Sequence, residues 1–117
     1  MKHLLLLPLL VPLPAHAADL WCMPDKICVP GNCEVQISDD SAFLFADPDS
    51  AAPTLQSHGE TIAMTKTFQH LGRSIWNGRN AVGDDEVVEM DRDTMDFTYR
   101  IGVAEPKYLA LGNCEQQ

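Results

Sequence analysis

Basic residues are scarce in this chain. Eight Lys and Arg face 17 Asp and Glu, for a formal net charge of −9 at pH 7. So acidic a surface repels phosphate backbones, which argues against DNA or RNA as a partner. The spacings of redox and zinc sites are missing too. The four cysteines form no C-x-x-C, and their C-x5-C and C-x4-C spacings are not the paired C-x2-C of zinc sites. No Gly-x-Ser-x-Gly elbow presents a nucleophile. No Met-x-x-Met or His-x-His cluster suits copper, and no cofactor is implied. There is no internal repeat, low-complexity tract or N-x-S/T sequon. Beyond the first 17 residues, no apolar stretch approaches the roughly 20 residues that span a bilayer as a helix.

The start of the chain has a three-part pattern. Lys2 and His3 supply a short basic region, residues 4–13 are apolar with Pro8 and Pro12, and Ala15-His16-Ala17 offers small residues where a signal peptidase cuts. The two prolines oppose a buried N-terminal helix, since each removes a helix hydrogen bond. Residues 1–17 are therefore expected to be a cleaved signal peptide, and residues 18–117 a single domain destined for the periplasm or the medium. No cysteine follows the cut, so no lipid anchor is expected. Without Lys2 the domain has 7 basic and 17 acidic residues. That charge favours encounter with a basic protein, although solubility alone explains it as well.

Cys22, Cys28, Cys33 and Cys114 all lie in the mature part. An even count in a small exported domain reads as two disulfides, and four cysteines allow three pairings. Val29-Pro30-Gly31-Asn32 is a turn-forming stretch that favours Cys28 with Cys33. Cys22 and Cys114, near the two ends of the domain, are left to pair. A Cys22–Cys28 bridge is the chief alternative, because Pro24-Asp25 can also turn the chain.

Short runs separated by turn residues predict strands near residues 20–23, 34–37, 42–46, 61–65, 74–77, 86–90 and 108–111. The sharpest pattern is residues 95–101. There Met95, Phe97, Tyr99 and Ile101 share one face, while Asp96, Thr98 and Arg100 share the other. Asn77-Gly78 is the strongest short hairpin signal, because both residues accept positive φ. Residues 65–73 have some helical character but are short and end at Gly72. Seven or eight short strands with turns every 8–12 residues predict an all-β fold, a small antiparallel barrel or sandwich stapled by disulfides. A Cys22–Cys114 bond places the first and last strands together and favours barrel closure.

Candidate chemistries each have a plainer explanation. Asp39-Asp40, Asp84-Asp85-Glu86 and Asp91 with Asp93 could pair carboxyls for glycoside hydrolysis, but all sit among turn residues, where carboxylates are solvated. Ser57 and His58 are adjacent, and neighbouring strand residues point to opposite faces. His70, Met23, Met64, Met90 and Met95 are copper-ligand types, and methionines of this kind usually fill cores. Trp21, Phe43, Phe45, Phe68, Trp76, Phe97, Tyr99 and Tyr108 suffice for one core. Trp76 and Arg79, flanking Asn77-Gly78, form a candidate partner contact on a loop.

The layout "DLWCMPDKIC…C", short strands and a terminal "LGNCE" resembles small secreted proteins of Gram-negative bacteria. In architecture it remotely resembles the periplasmic C-type lysozyme inhibitor family. That resemblance implies an exported antiparallel barrel of about 100 residues with a disulfide near the last strand. Inhibitors of that family enter the lysozyme cleft with a Ser-Gly loop ending in Tyr. Here Ser57-His58-Gly59 has no following Tyr and Gly72-Arg73-Ser74 runs in another order, so no inhibitory residue is carried over. The expected function is that of a non-enzymatic, inhibitor-like binding protein. A structural envelope protein and a weak carboxylate hydrolase are the alternatives.

Overall fold

The computed structural model describes residues 19–102 and 104–117, so the expected signal segment lies outside the described residues. Eight strands follow one another: β1 (Leu20–Cys28), β2 (Phe43–Ala46), β3 (Thr54–Ser57), β4 (Glu60–His70), β5 (Arg73–Arg79), β6 (Asp85–Asp91), β7 (Asp96–Ile101) and β8 (Tyr108–Gln116). A single 3₁₀ turn, Asp39–Ser41, interrupts the β1–β2 connection. Each strand pairs antiparallel with the next, and β8 returns to β1, from Leu20↔Gln116 to Cys28↔Leu109. The sheet is therefore a closed barrel, which leaves no unpaired edge strand along its order. None of the described helical segments is long and apolar enough to cross a membrane.

Alternation fills the interior. Leu20, Cys22, Phe43, Phe45, Leu55, Trp76, Val88, Met90, Phe97 and Tyr99 are buried in one cluster. Their rings meet edge to face, Phe43 with Phe97 at 5.0 Å and Phe45 with Trp76 at 4.7 Å. Each ring buried this way contributes about 1.5–3 kcal/mol. Cys22 bonds Cys114 across the β1–β8 seam, and Cys28 bonds Cys33 around the Val29–Asn32 turn.

Several expectations need correction. Asn77-Gly78 is no turn: both residues lie inside β5, with Gly78 opposite Met64. A Cβ on Gly78 would lie 2.5 Å from Met64 Sδ and 2.6 Å from the Ala63 carbonyl, so this glycine serves close packing. The tight hairpin turns are His58-Gly59 and Leu71-Gly72, in which all four residues have positive φ. That backbone matches the twist of the flanking strands. Residues 65–73 belong to β4, the Leu71-Gly72 turn and the start of β5, with no helix among them.

Pro24-Asp25 does not end β1. The strand absorbs the proline in a bulge between Pro24 and Lys26, opposite Gly112. A Cβ on Gly112 would lie 2.2 Å from the Met23 carbonyl, so only glycine admits the bulge. Residues 34–37 form no strand, although Val35 and Ile37 still pack against the core. In β7, Phe97 and Tyr99 are buried and Asp96 is exposed. Met95 precedes the strand in a left-handed conformation and Ile101 is half-buried, so the inward face is shorter than its pattern.

Candidate functional site

The expected contact at Trp76 is overturned first. Trp76 is fully buried, because its place in β5 turns it inward and its Nε1 donates to the Pro48 carbonyl at 2.9 Å. Lys66 and Arg92 both lie over its ring, 5.5 and 5.4 Å from the centroid. Asp49 joins the two cations, with Lys66 Nζ at 2.8 Å and Arg92 Nη2 at 2.7 Å. The assembly closes the lower mouth of the barrel, where the start of β1, the end of β8, the β2–β3 loop and the Leu71-Gly72 turn lie. Arg79 is exposed at the other end of β5 and pairs with Asp85 at 3.2 Å.

The carboxyls separate by environment. Asp84 pairs with Lys107 and Asp85 with Arg79. The Asp91 carboxylate accepts the backbone N–H groups of Thr94 and Asp93, which hold it below the usual carboxylate range. Glu86 departs from the solvated-turn expectation: it is in β6 and only 3% exposed. Its place was legible, since it shares the period-two face of Val88 and Met90. Met64 and Met90, once weighed as ligands, are core residues.

Glu86 anchors a polar chain across the upper mouth. The Tyr99 hydroxyl donates to Glu86 Oε1, and Asn80 Nδ2 donates to Glu86 Oε2 at 2.8 Å. Ser57 Oγ lies 3.1 Å from the Tyr99 oxygen and 3.1 Å from His58 Nδ1. With its one hydrogen given to Glu86, the phenol oxygen is free to accept from Ser57. Burial, reinforced by the Glu86 contact, pushes the Tyr99 hydroxyl far above the ordinary phenol range. Burial also raises Tyr108, whose ring meets His58 edge to face at 4.9 Å. Ser57 and His58 do touch, contrary to the opposite-face expectation, because the positive φ of His58 bends the chain. Ser57 is itself buried, and its hydroxyl braces the turn through Tyr99 and His58.

Beside His58 the surface opens into a groove of about 730 Å³. Trp21 forms one side. It lies between the inward residues Leu20 and Cys22, so alternation turns it outward, and it is 39% exposed. The 3₁₀ turn adds Asp39 and Asp40, both exposed, and the start of β4 adds Glu60. Glu60 Oε2 accepts the Ala81 N–H at 2.6 Å, which fixes that wall. No Lys or Arg lines the groove. Three carboxylates and an exposed indole make it complementary to an ammonium or guanidinium group. Its elements come from three separate stretches of the chain, so spacing alone did not reveal it. The chain matches no protein family, no curated protein and no solved structure.

Proposed function

We propose that this chain is a non-enzymatic binding domain of the periplasm or extracellular space, and that its acidic groove receives a Lys or Arg side chain of a basic protein partner. The observation that carries this reading is the meeting of Asp39, Asp40, Glu60 and half-exposed Trp21 on one groove without a neutralising cation. Charge on the rest of the surface supports it. Among the described residues, Lys66, Arg73, Arg79, Arg92 and Lys107 are each paired to a carboxylate, while the groove carboxylates have no such partner. Two disulfides support an oxidising compartment.

The contribution of each contact is modest. A cation over an indole contributes about 0.5–2 kcal/mol and an exposed ion pair up to about 1. Binding therefore needs several contacts and falls as salt rises. A lysozyme is a suitable cationic probe, since the resemblance in architecture points to inhibitors of that enzyme. Immobilised protein should retain lysozyme at low ionic strength and release it as salt rises. The double variant D39N/D40N and the single variant W21A should each retain about tenfold less. No retention at low salt, or equal retention by the variants, would count against the reading.

A further inference from the structure

We infer that His58 presents an unprotonated Nε2 to the groove as a hydrogen-bond acceptor, and that buried Glu86 is the positioning residue that fixes this tautomer through Tyr99 and Ser57. For its ligand, an ammonium or guanidinium hydrogen, the inference rests on the groove reading; for the tautomer it does not. A neutral histidine has one ring N–H, so one nitrogen donates and the other accepts. Counting hydrogens along the chain of contacts that starts at Glu86 decides which is which.

Asn80 sets the direction. Its Oδ1 accepts the backbone N–H groups of Val82 and Asp84, at 3.2 and 2.9 Å, so the amide cannot be turned over. Nδ2 therefore faces Glu86 Oε2 as a donor. The Tyr99 hydroxyl gives its single hydrogen to Glu86 Oε1, a carboxylate oxygen and the closer of its two neighbours. The Tyr99 and Ser57 oxygens are 3.1 Å apart, a contact that needs a hydrogen, and only Ser57 still has one to give. Ser57 Oγ and His58 Nδ1 are also 3.1 Å apart, and the Ser57 hydrogen is already spent. The hydrogen in that contact therefore belongs to Nδ1. Nε2 keeps its lone pair and has no partner among the described residues.

Packing holds the arrangement. Glu86, Ser57 and Tyr99 are all buried, which shields the relay from solvent. The His58 ring stands edge to face with Tyr108 at 4.9 Å and lies within 25° of parallel to Tyr99 at 6.4 Å, and both contacts oppose a ring flip. The same ring lines the groove with Asp39, Asp40 and Glu60. An ammonium or guanidinium has several hydrogens to place. Nε2 adds a neutral acceptor to the three carboxylates, whereas an Nε2–H would set a donor against the cation.

Long-range proton–nitrogen NMR spectra of the histidine rings test this, recorded at about pH 8, where an ordinary histidine is neutral. Wild-type His58 should show a protonated Nδ1 and an unprotonated Nε2. In E86Q the fixed Asn80 amide holds the Gln carbonyl, so the Gln amide donates to Tyr99. The relay then runs the other way and leaves His58 with Nε2–H. Y99F changes no charge, frees the Ser57 hydrogen for Nδ1, and should give the same reversal. Immobilised Y99F should retain about fivefold less lysozyme than wild type at low salt. An Nε2–H tautomer in wild type overturns the inference, as does a tautomer that neither variant reverses. Y99F retaining lysozyme as wild type does overturns the acceptor role and leaves the groove reading standing. If wild type retains none, the groove reading fails and the acceptor role with it, while the spectra still decide the tautomer and its dependence on Glu86.

Discussion

Trp76 donates its indole N–H to the carbonyl of Pro48, 28 residues earlier in the chain. This bond fastens the β2–β3 loop under the barrel, and Pro48 itself is fully buried beneath it. The lower mouth is thus closed by an aromatic plug with a cation on it from each of two strands or turns, Lys66 and Arg92.

The first prediction separates the plug's packing from its hydrogen bond. Trp76→Ala should lower stability by about 3–5 kcal/mol, because it empties the lower core. Trp76→Phe keeps a ring but leaves the Pro48 carbonyl unpaired, at a cost of about 1–3 kcal/mol. Urea midpoints of both variants check the order. A surface-like effect of Trp76→Ala, about 0.5 kcal/mol or less, would contradict the buried plug.

Acid should loosen the same plug. The Arg92 guanidinium and the Lys66 ammonium hold the Asp49 carboxyl well below its ordinary value of 3.8. The folded state thus prefers the ionised form. Asp49 contributes stability that is fully present above about pH 4 and declines as pH falls below it through the depressed folded value. Asp49 is half-exposed, so solvent screening limits the effect to about 1 kcal/mol. Asp49→Asn should be less stable than wild type at pH 7, and the gap should narrow below pH 4. Equal slopes of stability against pH in the two proteins would show that Asp49 carries no linkage.

The two disulfides should differ in weight. The Cys22–Cys114 bond closes a separation of 92 residues and Cys28–Cys33 one of 5. On the chain-entropy account, removing the first costs about 4–5 kcal/mol and removing the second about 2. Urea unfolding of C22A/C114A and C28A/C33A gives the comparison. A larger loss from the short loop would reverse it.

Gly78 tests the most misleading short signal in the chain. Gly78→Ala should destabilise by about 1–3 kcal/mol, because its new methyl meets the Ala63 backbone and Met64. Thermal melts of G78A beside wild type measure this, and a change of about 0.5 kcal/mol or less would contradict the close packing.

The faces of β7 give the last test. Phe97→Ala should cost about 3–5 kcal/mol and Asp96→Ala about 0.5 or less, as urea midpoints would show. If only Asp96→Ala lowered the midpoint, the strand would be inverted.

Much of this architecture was legible in the residues. Period-two alternation marked the Phe97 and Tyr99 face, the turn between Cys28 and Cys33 favoured their pairing, and that left Cys22 for Cys114. These are local patterns or eliminations, set by backbone geometry over a few residues. Closure of the barrel decided the rest. Asn77-Gly78 suits a turn as well as a strand, and the opposing Met64 made it strand. Trp76 beside that pair suits the core or a loop contact, and the interior of β5 claimed it for the core. Alternation alone put Glu86 on the inward face of β6, but only the closed barrel brings Tyr99 and Asn80 from two other segments to hydrogen-bond its carboxyl. The groove brings Trp21, Asp39, Asp40 and Glu60 together for the same reason. Side-chain alternation depends on neighbours one or two residues away, whereas a groove or a plug depends on which strands a closed sheet sets side by side, and that follows from packing over the whole chain.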